Sequence, residues 1–210
     1  MTISRRIEKL GEGVFHRNDI RKHLYASSHS SNNSLPLIDL SLGSTDLLPP
    51  ENLIFAIKTA LNSPDSSAYC LHAATRPFRV AVSIWAAKRF GINVDPDKEV
   101  LLLVGSQEGT AHLPLAVMNQ GDTGLILDPS YPSHRGGLVL AGANIERLSL
   151  KEDEGWKPQF SSLSNSQLDQ LKMIIFGFPH NPTAQVGEQS WLENAMKCGV
   201  DHQVVVAHDN

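Results

Sequence analysis

The sequence predicts an α/β fold: a three-layer, doubly wound, mostly parallel sheet preceded by an N-terminal arm and small-domain segment. Short apolar runs alternate with amphipathic stretches from Val100 to the last residue, as in consecutive strand–helix–strand units. Met173 to Phe178 is nearly unbroken apolar sequence, which is typical of a parallel strand covered on both faces. Such a series predicts right-handed crossovers between the strands.

The individual elements follow from local patterns. Strands are predicted at Leu37–Leu42, Val100–Val104, Gly124–Leu127, Asn144–Leu148, Met173–Phe178 and Gln203–Ala207, of which the second and fifth are the clearest apolar runs. Apolar spacing of three and four, with proline and glycine at the ends, predicts helices at Asp19–Tyr25, Glu51–Leu61, Phe78–Phe90, Ala111–Met118, His134–Ala141 and Ser190–Cys198. A polar, low-complexity loop is predicted over residues 26–34. The predicted division is residues 1–50 for the arm and small-domain segment and 51–210 for the large domain.

Composition excludes several classes of function. The 210 residues are 41% hydrophobic and 19% charged, as in ordinary globular proteins, and the net charge of −4 favours neither nucleic acid nor an anionic membrane as a partner. No apolar run approaches membrane-spanning length. Cys70 and Cys198 lack metal or redox spacing, so we expect free thiols and a cytoplasmic location.

Three loops and a turn follow predicted strands, where ligands bind in open α/β sheets. The first loop, Gly105–Thr110, leads into a helix and offers free backbone N–H groups and a hydroxyl to an anion. The N-terminus of a core helix that binds no ligand would have the same sequence, and Ser106 would serve as the helix N-cap in either case.

The other positions carry an aromatic ring, an amide and a carboxylate. Tyr131 lies in a proline-bounded turn and is suited to stacking on a flat ligand, or to packing with its hydroxyl bonded to the backbone. Asn181 lies between two prolines that hold it in a non-helical turn, which is either a ligand contact or a turn only. Asp209 follows an apolar strand and would pair with a protonated ring nitrogen, unless it is an exposed terminal residue.

Together these groups suit a ligand with a phosphate, a flat ring, an anionic ring oxygen and a basic ring nitrogen, and pyridoxal 5′-phosphate has all four. The segments G-S-Q-E-G-T-A-H (105–112), D-P-S-Y-P (128–132), H-N-P-T (180–183) and H-D-N (208–210) resemble the successive motifs of fold-type-I, class I/II aminotransferases. Within that family the chain is most similar to the LL-diaminopimelate aminotransferase-like group, from about residue 5 to the end.

The resemblance implies a role for each site residue. It implies that Ser106 and the backbone of Gln107 hold the cofactor phosphate, that Tyr131 stacks on the ring, and that Asn181 bonds the ring oxygen. It implies that Asp209 keeps the ring nitrogen protonated. Two further contacts are implied: Gly43 for the substrate carboxylate, and Tyr69 for the phosphate of the neighbouring subunit in a homodimer. The implied substrates are an amino acid and a 2-oxo acid.

The chain departs from the family pattern at a few positions. Ala184 and Ala74 stand where the family usually has glycine. The Schiff-base lysine of the family lies in an S-x-x-K-like segment downstream of the Asp209 position, and the cofactor-binding tyrosine and two ligand-binding arginines also lie there. Lys151, Lys157, Lys172 and Lys197 all precede that position and lack the motif. The resemblance therefore implies an incomplete large domain that has no catalytic lysine and is inactive by itself.

Three alternatives remain at this stage. The cofactor motifs are shared by other fold-type-I activities, such as β-elimination or decarboxylation. A non-catalytic remnant, or a subunit that docks on an intact aminotransferase, would carry the same segments. A metal site built from His180, His202, His208 and Asp209 lacks the spacing of known ligand sets.

Overall fold

The computed structural model describes residues 3–29 and 35–210. They form two compact units: one combines Met1–Tyr25 with Leu103–Asn210, and the other is Ala26–Leu102. The sequence-based boundary at residue 50 falls inside the second unit, and that division stays a prediction.

The first unit is a parallel sheet with helices on both faces. Its strands are β1 (Thr123–Asp128), β2 (Asn144–Ser149), β3 (Leu171–Phe176) and β4 (Val205–His208). They pair in parallel in the order β2-β1-β3-β4. Over both units, the helices in chain order are α1 (Arg5–Leu10), α2 (Val14–Ser28), α3 (Glu51–Ala60), α4 (Arg76–Phe90), α5 (Ser106–Val117), α6 (Pro132–Ala141), α7 (Asn165–Leu168) and α8 (Gln189–His202), of which α3 and α4 belong to the second unit. Short 3-10 helices lie at Pro64–Ser67, His72–Thr75, Glu152–Glu154 and Phe160–Ser162.

Alternate residues of the two central strands face opposite cores, which confirms the doubly wound prediction. Leu125 and Ile174 face a cluster that includes Trp191 and Ala195 of α8. The next residues, such as Ile126, face a second cluster that includes Leu138 of α6. A strand buried on both faces is continuously apolar, which is why the pattern of these strands could be recognised in the sequence.

Two predicted strands are wrong. Residues 37–42 and 100–104 form no strand. A strand is stabilised by hydrogen bonds to a neighbouring strand, and neither segment pairs with any described residue. The N–H of Val104 instead donates to Glu108 Oε2 at 2.5 Å, and Leu101 and Val104 are 70% and 90% exposed.

Several helices are longer than their sequence pattern predicted. Helix α2 extends the predicted Asp19–Tyr25 helix in both directions and replaces the first part of the predicted polar loop, whose residues 30–34 lie outside the described residues. Helix α8 continues through Gly199 to His202, whereas the sequence predicts an end at Cys198, just before this glycine. A Cβ there would lie 2.6 Å from a methyl group of Val206, so this glycine allows the helix to pack closely on β4. Within the described ranges, no helix combines the length and apolar character that crossing a bilayer requires.

The second unit contains a buried arginine that the sequence did not reveal. Arg79 of α4 is 1% exposed. Its guanidinium donates to the carbonyls of His72 and Pro96, and it lies 3.2 Å from an Asp97 carboxylate oxygen. Arg76 also contacts Asp97, and this guanidinium holds the pKa of the Asp97 carboxyl below its ordinary value. These contacts tie the start of α4 to the loop that follows it.

Candidate functional site

One cavity collects five of the residues selected from the sequence. It has a volume of about 240 Å³ and lies at the carboxyl ends of β1, β3 and β4 beside the start of α5. Its lining contains Ser106, Gln107, Tyr131, Asn181 and Asp209, together with His134, Gly177, Pro179, His180 and Asn210. Parallel strands bring the loops that carry Tyr131, Asn181 and Asp209 to the same sheet edge, although these loops are far apart in the sequence, and the start of α5 lies beside them.

The start of α5 leaves donors available to an anion. Gly105 is the N-cap, with φ +78° and ψ 160°, a backbone conformation that is essentially restricted to glycine. The prediction that Ser106 would be the N-cap is wrong, because Ser106 is the first residue of the helix. Its backbone N–H and that of Gln107 are among the first-turn groups that have no intrahelical acceptor. The hydroxyl of Ser106 has no hydrogen bond to a described residue and is available to a ligand in the cavity that it lines.

The Tyr131 ring is held by its neighbours on both sides. The amide Nε2 of Gln107 donates a hydrogen bond to the Tyr131 hydroxyl. The His134 ring meets the tyrosine ring edge-on, with ring centroids 6.1 Å apart. The hydroxyl is therefore bonded to a side chain rather than to the backbone, and the half-buried ring faces the cavity.

His134 is a site residue that the sequence reasoning missed. Its Nε2 lies 3.1 Å from Asp209 Oδ2, and the His134 and Asp209 side chains are 5% and 18% exposed. The signal available in the sequence was its position three residues after Tyr131, which is one turn along the same helix. Asp209 is therefore held at two points. Its backbone N–H donates to the Phe176 carbonyl at 2.8 Å, and His134 orients its carboxylate.

The turn after β3 presents Asn181 and buries His180. Asn181 is exposed and its side-chain amide has no hydrogen-bond partner among the described residues, so the amide is available at the cavity. His180 is 3% exposed, and its Nδ1 lies 2.8 Å from Thr183 Oγ1. His180 lines the cavity, and its buried Nε2 has no partner of adequate geometry among the described residues, although the Pro129 carbonyl lies near. Burial lowers the pKa of His180, so the neutral ring is favoured.

His208 is also neutral, and its ring accepts a hydrogen bond from the backbone. The N–H of Phe178 donates to His208 Nε2 at 3.2 Å, which requires that nitrogen to be unprotonated. Partial burial lowers the pKa of His208, and the nearby Asp209 opposes that shift. The metal-site alternative finds no support, because no group of three His, Cys, Asp or Glu side chains among the described residues is arranged to hold an ion. His202, the remaining histidine of that proposed metal site, pairs with Asp169 at 2.8 Å.

The remaining two predicted site residues belong to the second unit. Tyr69 is 91% exposed and follows the Pro64–Ser67 helix. Gly43 lies in an exposed segment without helix or strand, and a Cβ at Gly43 would meet nothing within 4 Å. Neither residue lines the cavity described above.

None of the cavity-lining residues is a lysine or arginine. Lys151, Lys157 and Lys197 line other depressions of the surface, and Lys172 is an exposed residue of β3. The polar groups of the cavity-lining residues are therefore backbone N–H groups, two hydroxyls, three side-chain amides, two histidines and one side-chain carboxylate.

The whole chain was also compared with known proteins. Residues 36–210 match the family model described as aminotransferase class I and II. The chain belongs to the class I and II aminotransferase family. It is 34% identical over 173 residues to LL-diaminopimelate aminotransferase of Syntrophobacter fumaroxidans, and this match covers 82% of the chain and 45% of the relative. It is 35% identical to the glutamate-pyruvate aminotransferase AlaC of Escherichia coli, over 82% of the chain and 42% of that relative.

Solved structures share the fold of this family member. A probable N-succinyldiaminopimelate aminotransferase from Thermus thermophilus superposes with a TM-score of 0.85 at 34% identity, covering 94% of this chain and 52% of that one. BacF from Bacillus subtilis superposes with a TM-score of 0.90 at 23% identity, covering 100% of this chain and 52% of its own. The chain thus spans about half the length of the relatives that it matches.

One departure from the family pattern has a structural consequence. Ala184 has a φ of +59°, in the left-handed region that disfavours residues with a Cβ, and its N–H donates to the His180 carbonyl. Ala184→Gly should raise the free energy of unfolding by about 0.5–1 kcal/mol, because relief of backbone strain exceeds the added chain entropy of glycine. Urea unfolding measures the change. Ala116→Gly, within helix α5, is the matched control and should destabilise by about 1 kcal/mol; a loss of stability at both positions would contradict the strain argument.

Proposed function

We propose that this cavity holds pyridoxal 5′-phosphate for the transfer of an amino group between an amino acid and a 2-oxo acid. The observation that carries the proposal is the convergence of Ser106, Tyr131, Asn181 and Asp209, from four separate segments, on one cavity. Membership of the class I and II aminotransferase family supports the same cofactor and reaction type.

The residues present fit the chemical groups of that cofactor. The first turn of α5 and the Ser106 hydroxyl suit the phosphate, since helix N-termini bind anions. The Tyr131 ring suits the flat pyridine, and the unpartnered Asn181 amide suits the ring oxygen. His180 lines the same cavity, and its Nε2 has no partner among the described residues; this supports a polar occupant, because a buried polar atom without a partner costs free energy.

Asp209 carries the electronic part of the proposal. When bound, the protonated cofactor ring withdraws electrons from the α-carbon of the substrate. A carboxylate beside the ring nitrogen favours the protonated nitrogen, since an opposite charge stabilises the charged form. His134 Nε2, 3.1 Å away, orients that carboxylate from the side of α6.

The substrate and subunit contacts are proposals for the whole protein. We propose that Gly43 contributes a backbone contact to the substrate carboxylate. Tyr69, which is 91% exposed, is available to reach the cofactor phosphate of a second subunit in a homodimer. The donors to assay first are LL-diaminopimelate and glutamate, after the names of the 34% and 35% identical relatives. The two free cysteines support a cytoplasmic location.

The proposal assigns no catalytic base within the cavity. The proton transfer at the α-carbon needs a general base, which in this family is a lysine, and no lysine lines the cavity. Lys151, Lys157, Lys172 and Lys197 point to other parts of the surface. We therefore propose that this chain binds the cofactor but does not catalyse transamination by itself.

Cofactor binding to the purified chain tests the proposal. We expect saturable binding of pyridoxal phosphate, followed by its absorbance spectrum in equilibrium dialysis. Pyridoxal without the phosphate should bind more weakly. Ser106→Ala should weaken the binding of pyridoxal phosphate and leave that of pyridoxal unchanged, because only the phosphate would contact the serine hydroxyl. Ser161→Ala, at a surface depression elsewhere in the chain, is the matched control.

Borohydride reduction at an equimolar cofactor concentration tests the absence of a catalytic lysine. Mass spectrometry should find no lysine labelled stoichiometrically. Stoichiometric labelling of one lysine would contradict the proposal that this chain binds the cofactor without a catalytic lysine. Equal binding of both ligands by the wild type and by Ser106→Ala would contradict the proposed phosphate site.

A further inference from the structure

A second cavity in the first unit is lined by basic side chains. It lies between α1 and α6, has a volume of about 610 Å³, and shares no residue with the cofactor cavity. Four of its lining side chains are cationic: Arg5, Arg6, Lys9 and Arg135. Its other side chains include Ser4, Gln120 and Asn144, and no aspartate or glutamate is among its lining residues.

The four cations have no carboxylate partner. None of them lies within 4.0 Å of an Asp or Glu oxygen in the part of the chain that the structure describes. The local positive charge of this cavity contrasts with the net charge of the whole protein, which is −4. Like charges grouped in a concave surface raise the local concentration of anions.

Two of the cations are held in place by backbone carbonyls. Arg135 donates to the carbonyl of Lys9 at 2.9 Å and to that of Leu10 at 3.5 Å. Arg6 donates to the carbonyl of Leu140 at 3.3 Å. These bonds fix α1 against α6 without neutralising either guanidinium, and the Arg5 and Lys9 side chains have no hydrogen bonds to described residues. The cationic groups are therefore partly preorganised.

We propose that this basic cavity binds a small polyanion that carries two or more phosphate or carboxylate groups. Arginine forks match the geometry of both groups, and four positive charges in one depression suit a ligand with several negative charges. The volume of about 610 Å³ lies in the range of small-molecule sites, which favours a small anion over a macromolecular surface. The proposal does not depend on the cofactor assignment.

Titration calorimetry with inorganic pyrophosphate tests the proposal on the whole chain. Arg5→Gln combined with Lys9→Gln should weaken pyrophosphate binding by roughly tenfold, since two charge contacts at a partly exposed site are lost. The fold should be retained, because neither side chain is hydrogen-bonded to any residue in the described ranges. Lys58→Gln combined with Lys88→Gln removes the same charge from exposed positions of the second unit and should leave the affinity within about twofold.

Three results would overturn the proposal. The first is an unchanged pyrophosphate affinity in the Arg5→Gln/Lys9→Gln variant. The second is an equal loss of affinity in Ser106→Ala, which would place pyrophosphate at the cofactor cavity. The third is tighter binding of a hexaglutamate peptide than of pyrophosphate, which would indicate a surface for an acidic macromolecule. Circular dichroism and the urea midpoint of each variant show that the changes are not due to unfolding.

Discussion

Asp209→Asn is expected to weaken the binding of pyridoxal phosphate by roughly 10- to 100-fold, the range of a lost charge-assisted hydrogen bond. The substitution keeps the shape of the side chain and removes its charge. The side chain is 18% exposed and held at 3.1 Å by His134, so water does not fully screen the lost interaction. Equilibrium dialysis measures the affinity, and the absorbance of the bound cofactor reports protonation of its ring nitrogen.

The control for this variant is Asp201→Asn, an exposed carboxylate near the end of α8 that lines a different depression. Its cofactor affinity should equal that of the wild type. If Asp209→Asn bound the cofactor as tightly as Asp201→Asn and with the same spectrum, the carboxylate would have no part in holding the ring nitrogen.

Gly177→Ala is expected to destabilise the chain by about 3 kcal/mol or more, the upper range for overpacking against a rigid neighbour. Gly177 follows β3, and a Cβ there would lie 2.2 Å from the backbone carbonyl oxygen of Asp209. A backbone atom cannot rotate away as a side chain would, so the end of β4 must shift. The same shift would move the Asp209 carboxylate away from His134. Urea unfolding gives the stability, and dialysis gives the cofactor affinity of the folded fraction.

Gly43→Ala is the matched change, because a Cβ at Gly43 would meet nothing within 4 Å. Its stability should lie within about 0.5 kcal/mol of the wild type, as for most surface substitutions. A Gly177→Ala variant as stable as Gly43→Ala would mean that the close approach of the two backbone segments is not needed for the fold.

The predictions from sequence were most accurate where one local pattern has one structural outcome. The two central strands, β1 and β3, were located because residues such as Leu125 and Ile174 are fully buried, and nearly continuous burial leaves a nearly continuous apolar run. The ends of α4 and α6 were located because Gly91 and Gly142 have φ of +72° and +74°, a conformation that glycine adopts without strain.

They failed where the outcome depends on a partner. Residues 37–42 and 100–104 have the apolar pattern of strands, but pairing rather than pattern makes a strand, and no described residue pairs with them. A glycine after an amphipathic stretch usually predicts the end of a helix, but Gly199 lies inside α8 and allows that helix to pack closely on Val206.

By itself, the sequence determined the fold class, the family resemblance and the identity of the groups at the sheet edge, because periodicity and short motifs are local properties of the chain. Only the tertiary structure decided that Ser106, Tyr131, Asn181 and Asp209 share one cavity, and that His134 contacts the carboxylate. It also decided that four cationic side chains, which have no carboxylate partner among the described residues, line a second cavity. These are distances between residues far apart in the sequence, and they are set by how helices and strands pack rather than by any local pattern.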